Sequence, residues 1–168
     1  MKHYFLFLAL GFFVPQLFSQ IPVSIGEDEI KIILESHNAE RRQVGSPELV
    51  WDEKLAEHAR GWAMILAKDD TKIWHRPNNQ YGENIAWFSG ADFEANRGVD
   101  LWNSEKDDYV YCRLSSDNFR NTGHYTQVIW QNTRKVGCGC VKSKGGAYNF
   151  VCNYDPAGNF TGEYPYKR

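Results

Sequence analysis

The chain has 168 residues, 42% hydrophobic and 24% charged, with 19 basic against 21 acidic side chains, the composition of one ordinary globular domain. That excludes two large domains and disorder throughout, because 15% aromatic content, with Trp 6, Tyr 9 and Phe 10, supplies ample bulk for a single core. The slightly acidic balance also argues against nucleic acid as a general electrostatic partner.

Residues 1–19 carry Lys2 and His3, run apolar from Tyr4 to Phe18 and end at Ser19. They read as a secretory signal peptide, because a bilayer-spanning helix needs about 20 apolar residues and this run is shorter. An uncleaved anchor is the alternative. Cleavage would remove Lys2, leaving 18 basic against 21 acidic side chains, a formal charge of −3. No other segment reads as a membrane span, so a protein that is not integral to the membrane is expected after cleavage. Residues 20–28 read as a linker and residues 29–166 as one domain.

A helix is expected over residues 29–43, where Ile30, Ile33, Leu34, His37 and Arg41 recur at three and four residues, with Gly45-Ser46-Pro47 stopping it. Leu49-Val50-Trp51 is a short apolar piece. Asp52 can then cap a second helix with the buried stripe Leu55, Ala59, Trp62, Ala63 and Leu66. Residues 69–81 are polar, carry Pro77 and Asn78-Asn79, and read as a surface loop presenting His75. A third helix is expected from a cap at Asp92 to about Glu105, with Phe93, Val99 and Trp102 inward and Gly98 weakening it. Residues 107–120 read as a long loop, and Thr122 as the cap of a short helix through Gln127. Two strands, 135–142 and 147–153, joined by Ser143-Lys144-Gly145-Gly146, read as a hairpin. Helices first and a hairpin last favour an α+β fold over alternating βαβ units.

All four cysteines, Cys112, Cys138, Cys140 and Cys152, follow the export signal, so two disulfides are expected from three possible pairings. Centring the hairpin on its turn sets Cys138 opposite Cys152, and Cys112 with Cys140 follows by elimination. The chain has no C-x-x-C, and Cys138-Gly139-Cys140 is too tight for the usual zinc knuckle. Among the histidines, His75 and His124 stand outside apolar stripes, while Glu83 follows Gly82 and Glu105 lies one helical turn after Trp102.

The segment Gly123-His124-Tyr125-Thr126-Gln127-Val128-Ile129-Trp130-Gln131-Asn132-Thr133 resembles the first signature of the superfamily of cysteine-rich secretory proteins, antigen 5 and pathogenesis-related class 1 proteins, the CAP superfamily with its SCP domain. Cys152-Asn153-Tyr154-Asp155-Pro156-Ala157-Gly158-Asn159-Phe160 resembles the second, His37-Asn38-Ala39-Glu40-Arg41 the helix motif and Gly82-Glu83-Asn84-Ile85 a short turn motif. The four occur in the family's order over residues 37–160. The resemblance implies a three-layer α-β-α sandwich with a central, largely antiparallel sheet, long loops and disulfide staples. It also implies an open cleft lined by His75, Glu83, Glu105 and His124. Two departures stand out: Asn149 occupies a position usually apolar, and no cysteine precedes His75 to staple its loop.

Two imidazoles can bind a divalent cation such as Zn²⁺ through nitrogen, with Glu83 and Glu105 supporting them from behind. Two protein ligands are fewer than the usual three or four, so any zinc would be labile. Should the chain be an enzyme, these four residues are the catalytic candidates for a metal-dependent hydrolase of peptidase type. The chain has neither H-E-x-x-H nor G-x-S-x-G, and no free cysteine if both bridges form, so binding is the expected activity ahead of catalysis. The resemblance implies a lipid, sterol or other apolar ligand, for which Tyr109 and Tyr111 are the candidate contacts among the flanking aromatics Trp87, Phe88, Phe93 and Phe119. An extracellular effector acting through a protein partner is the alternative. A secreted monomer is expected, periplasmic or at the cell surface if the source is bacterial.

Overall fold

The computed structural model describes residues 20–69 and 71–168; the signal peptide expected at 1–19 lies outside them. The chain runs through β1 (Ile21–Val23), α1 (Glu27–Val44), β2 (Val50–Trp51), α2 (Glu53–Leu66) and β3 (Gly82–Ser89). It continues with α3 (Arg97–Asn103), a 3-10 helix (Ser104–Asp108), α4 (Ser116–Phe119), α5 (Gly123–Val128), β4 (Lys135–Lys142) and β5 (Ala147–Asp155). Strand order is β1-β4-β5-β3 with antiparallel pairing, and β2 adds parallel to β4. The sheet is therefore largely antiparallel, and helices cover both faces.

Alternation along β4 and β5 builds two cores, because successive side chains point to opposite faces. Val136, Cys138, Cys140, Phe150, Cys152 and Tyr154 join Ile33, Val99, Trp102, Tyr125 and Val128 in the larger core. Val141 and Val151 meet Ala59, Trp62, Ala63 and Leu66 of α2 in the smaller. On that second face Gly137 and Gly139 let the α2 backbone rest directly on the strand. A Cβ at Gly139 would lie 2.4 Å from Arg60 N, and one at Gly137 2.2 Å from Ala56 N. The tight Cys138-Gly139-Cys140 spacing is thus a packing device, with cysteines to one core and glycines to the other helix.

Local sequence explains the helix ends. Asp52 caps α2, accepting from Lys54 N at 3.0 Å and Leu55 N at 3.2 Å. Gly45 closes α1 in the left-handed conformation at φ 75°. The buried residues of α1 include His37, Asn38 and Arg41 of the helix motif. Asn38 exchanges hydrogen bonds with the backbone of Leu49. Arg41 donates to the carbonyls of Pro47, Val128, Trp130 and Thr133. Burial lowers its pKa only to about 10, so it remains a cation.

Several expectations need correction. The segment 20–28 is more than a linker, since it holds β1, paired to β4, and the first residues of α1. Residues 82–85 are not a turn but the start of an eight-residue strand, which β5 draws into the sheet from Gly82↔Tyr154 to Ser89↔Ala147. The third helix is shorter than 92–105, starting at Arg97. Gly98 does not weaken it, because Phe150 occupies the space where a Cβ would sit, 2.2 Å from the ring. Cys138 and Cys152 form the disulfide that the hairpin register predicts. The bridge between Cys112 and Cys140 is absent and both are free thiols. Cys140 lies in the sheet between Val23 and Phe150 and behaves as a buried hydrophobe, whereas Cys112 sits in the loop after the 3-10 helix, accepting from Asn118 Nδ2.

Candidate functional site

Glu105 lies in the 3-10 helix that continues α3, and its carboxylate reaches the start of α5. Its Oε2 accepts from the backbone N–H groups of His124 at 2.9 Å and Tyr125 at 3.0 Å, while Oε1 accepts from His124 Nδ1 at 2.6 Å. The expected cap, Thr122, turns its hydroxyl back to Asn118 O. A residue distant in sequence therefore performs the capping role, satisfying the unpaired donors of a short helix. The same carboxylate fixes the His124 ring.

Glu83 does the equivalent for the loop. It is buried at the start of β3, with its side chain only 4% exposed. Oε1 accepts from His75 Nδ1 at 2.8 Å and from Arg76 N at 2.9 Å, and Oε2 from Asn79 Nδ2 at 3.2 Å. Trp62 Nε1 donates to Trp74 O, and Arg76 packs over the Trp62 ring and against His58. Burial and the adjacent guanidinium lower the pKa of His58. The loop that lacks a cysteine staple is thus held by one buried acid and a tryptophan.

His75, Glu83 and His124 line a single open hollow of about 230 Å³ together with Asn84, Phe119, Arg120, Gly123 and Asn159. Glu105 stands behind His124 and does not line it. Both Nδ1 atoms are bonded to carboxylates, so each ring has its Nε2 left for another partner, the arrangement in which a histidine ligand is oriented by an acid behind it. Among the described residues no group of three or more His, Cys, Asp or Glu side chains is placed to hold a metal ion.

Asn84, Asn159 and Arg120 were not singled out from sequence, whereas Phe119, named among the flanking aromatics, does line this hollow. Asn84 donates to His124 O and Tyr154 OH. Tyr154 OH in turn meets Nε2 of His37, whose Nδ1 donates to Ile33 O. Full burial lowers the His37 pKa to about 4, so it is neutral and serves the core. Asn159, at φ 61°, accepts from Thr126 Oγ1 and donates to Gly123 O, tying the two signature segments together. Its place in the second signature was the available clue.

The two tyrosines proposed as ligand contacts part company. Tyr109 lines a separate hollow of about 320 Å³ with Val110, Cys112 and Leu114 in its wall, and its hydroxyl is buried without a hydrogen-bond partner. Tyr111 stacks on Tyr164, packs against Tyr166 and lies under Arg168, so it anchors the C-terminal segment. Phe88 and Phe93 pack in the larger core, whereas Trp87 and Phe119 are exposed. Because Cys112 and Cys140 are unbridged, thiols are present after all. Burial pushes the Cys140 thiol far up and makes it inert.

Comparison with known proteins agrees with the geometry. Residues 34–154 match the family model described as the cysteine-rich secretory protein family. Pathogenesis-related protein 1C of Nicotiana tabacum is 41% identical over 133 residues, covering 79% of this chain and 78% of that protein. A pathogenesis-related protein 1 of Arabidopsis thaliana is 39% identical, covering 83% and 84% respectively. Among solved structures, that of NaASP2 superposes with a TM-score of 0.73 at 25% identity, covering 85% of this chain and 87% of that one. MpPR-1i, at 21% identity and a TM-score of 0.56, shares the fold. The four sequence motifs, the sandwich they build and these matches agree, and the chain belongs to the cysteine-rich secretory protein family.

Proposed function

We propose that this is a secreted binding protein of the pathogenesis-related type whose His75/His124 hollow takes up a divalent cation, Zn²⁺ first among candidates. The carrying observation is that each imidazole has its Nδ1 committed to a glutamate, at 2.8 Å and 2.6 Å, and both rings line one open space. That donor set fits zinc, which favours imidazole nitrogen, and a site with two protein ligands would keep several coordination positions for water or an incoming group. When bound, the ion supplies a Lewis acid to the hollow. The chain's own contribution is orientation: Glu83 and Glu105 set the tautomer and direction of the two rings. The structure of NaASP2, which shares this fold, is described with Zn²⁺.

Thermal unfolding of the full chain with and without Zn²⁺ tests the reading. The expected result is a rise in Tm that His75→Ala and His124→Ala each abolish, while both variants still fold. An unchanged zinc response in both variants would overturn it.

A second reading concerns the Tyr109 hollow. Val110 is 75% exposed beside Tyr109, and Asn118, Asn121 and Thr122 add polar groups to the same wall, a combination suited to an apolar molecule with one hydroxyl, such as a sterol. Sterol binding lost in Tyr109→Ala but retained in His124→Ala is the expected outcome.

A further inference from the structure

The carboxylates of the hollow are already consumed. Glu83 accepts three hydrogen bonds and Glu105 another three, all from the chain itself. What remains to meet a ligand is the two imidazoles, the Phe119 ring and the guanidinium of Arg120. Arg120 is the one Lys or Arg among the lining residues, and it forms no ion pair among the described residues. An unpaired guanidinium in a concave wall suits a carboxylate, whose two oxygens match its fork.

A second hollow of about 240 Å³ adjoins the first and shares Phe119 and Asn159 with it. Its other walls are Leu114, Ser115, Ser116 and Thr161. The Phe119 ring lies over Gly123, where an added Cβ would come within 2.9 Å of it, so glycine there allows the ring to stand between the two spaces. Asn159 is fixed between them by its bonds to Thr126 and Gly123. Its amide is spent in the wall, so the sequon Asn159-Phe160-Thr161 is a structural element of the groove and a glycan there would dismantle it. Walls that mix apolar side chains with hydroxyls suit a peptide, whose backbone needs hydrogen-bond partners, better than an alkyl chain, which needs none.

We infer that the two hollows form one groove for an extended peptide ending in a free carboxylate. Arg120 receives the carboxylate, the exposed Phe119 ring receives an apolar side chain above the buried Leu114, and the hydroxyls of Ser115 and Thr161 accompany the backbone. The inference rests on reading the hollow as a ligand site, but it requires no metal.

Calorimetric titration of the full chain in EDTA would use a tetrapeptide of alternating serine and leucine as the free acid, the same peptide amidated, and decanoate. The free acid is expected to bind about tenfold more tightly than the amide, the scale of one charge-assisted pair. Arg120→Gln should erase that difference, and Phe119→Ala should weaken acid and amide alike. Equal binding of acid and amide, or an unaltered preference in Arg120→Gln, overturns the proposal. Tighter binding of decanoate than of the peptide also overturns it and assigns the groove to lipid. The zinc response separates the two readings: Arg120→Gln should keep the full rise in Tm. A missing zinc response with the acid preference intact refutes the metal site alone.

Discussion

The two acid-histidine pairs of the hollow are chemically alike and structurally unlike. His124 rides on α5, whose opening N–H groups are bonded to the same Glu105 that holds the ring, and Arg41 binds the carbonyl of Val128 at the far end of that helix. His75 sits on a polar loop, its side chain 64% exposed against 38% for His124, and it is tied down by Glu83. One pair is part of the core's wiring, and the other is an attachment to its edge. Rigidity on one side and give on the other is a sensible division for the proposed ligand site, because local opening costs least where few buried contacts are lost.

The sharpest way to break this contrast is Glu105→Ala. It strands two backbone donors and the His124 ring, and denaturant unfolding should show a loss of about 3 kcal/mol. A loss below about 1 kcal/mol would mean that water replaces the cap and the helix arm is no more integral than the loop.

A smaller effect comes from pH. The pKa of His37 is lowered to about 4 in the fold, so between that value and 6.5 the unfolded chain binds the extra proton. Stability should be fully present above pH 6.5 and fall by about 2 kcal/mol on acidification to pH 5. His37→Gln should flatten that slope. His37 reaches the backbone of His124 through Tyr154 and Asn84, so amide protection factors in α5, corrected for intrinsic exchange, should fall with acid before those of loop 71–81.

The smallest effect is expected from Glu83→Ala. It should cost about 1 kcal/mol globally, because the opening is local, yet raise amide exchange at Arg76 and remove the zinc response. If its global cost equals that of Glu105→Ala, the two arms are equivalent and the contrast fails.

Much of this arrangement was legible because it is local. The Asp52 cap, the α2 stripe and the β4-β5 register with its Cys138–Cys152 bridge follow from spacing alone. What escaped is what distance in sequence hides. Strand β3 opens on Gly82-Glu83 and resembles a turn until β5 supplies its partner. Glu105 looks like a site acid, and only packing reveals that it also caps a helix. Gly98 resembles a helix breaker until Phe150 is seen in the space it leaves. Pairing Cys112 with Cys140 by elimination assumed that every cysteine bridges, whereas burial gives Cys140 a sufficient role as a hydrophobe. Asn149, the departure from the second signature, is buried with its Nδ2 unpartnered, and nothing in the structure explains it.

The double duty of Glu105 has an evolutionary corollary. A descendant relieved of every ligand would still be obliged to keep this acid, since discarding it would unravel the segment that bears His124. Persistence of such residues among relatives would then testify to architecture as readily as to chemistry, and inferring an activity from their survival would mistake a beam for a tool.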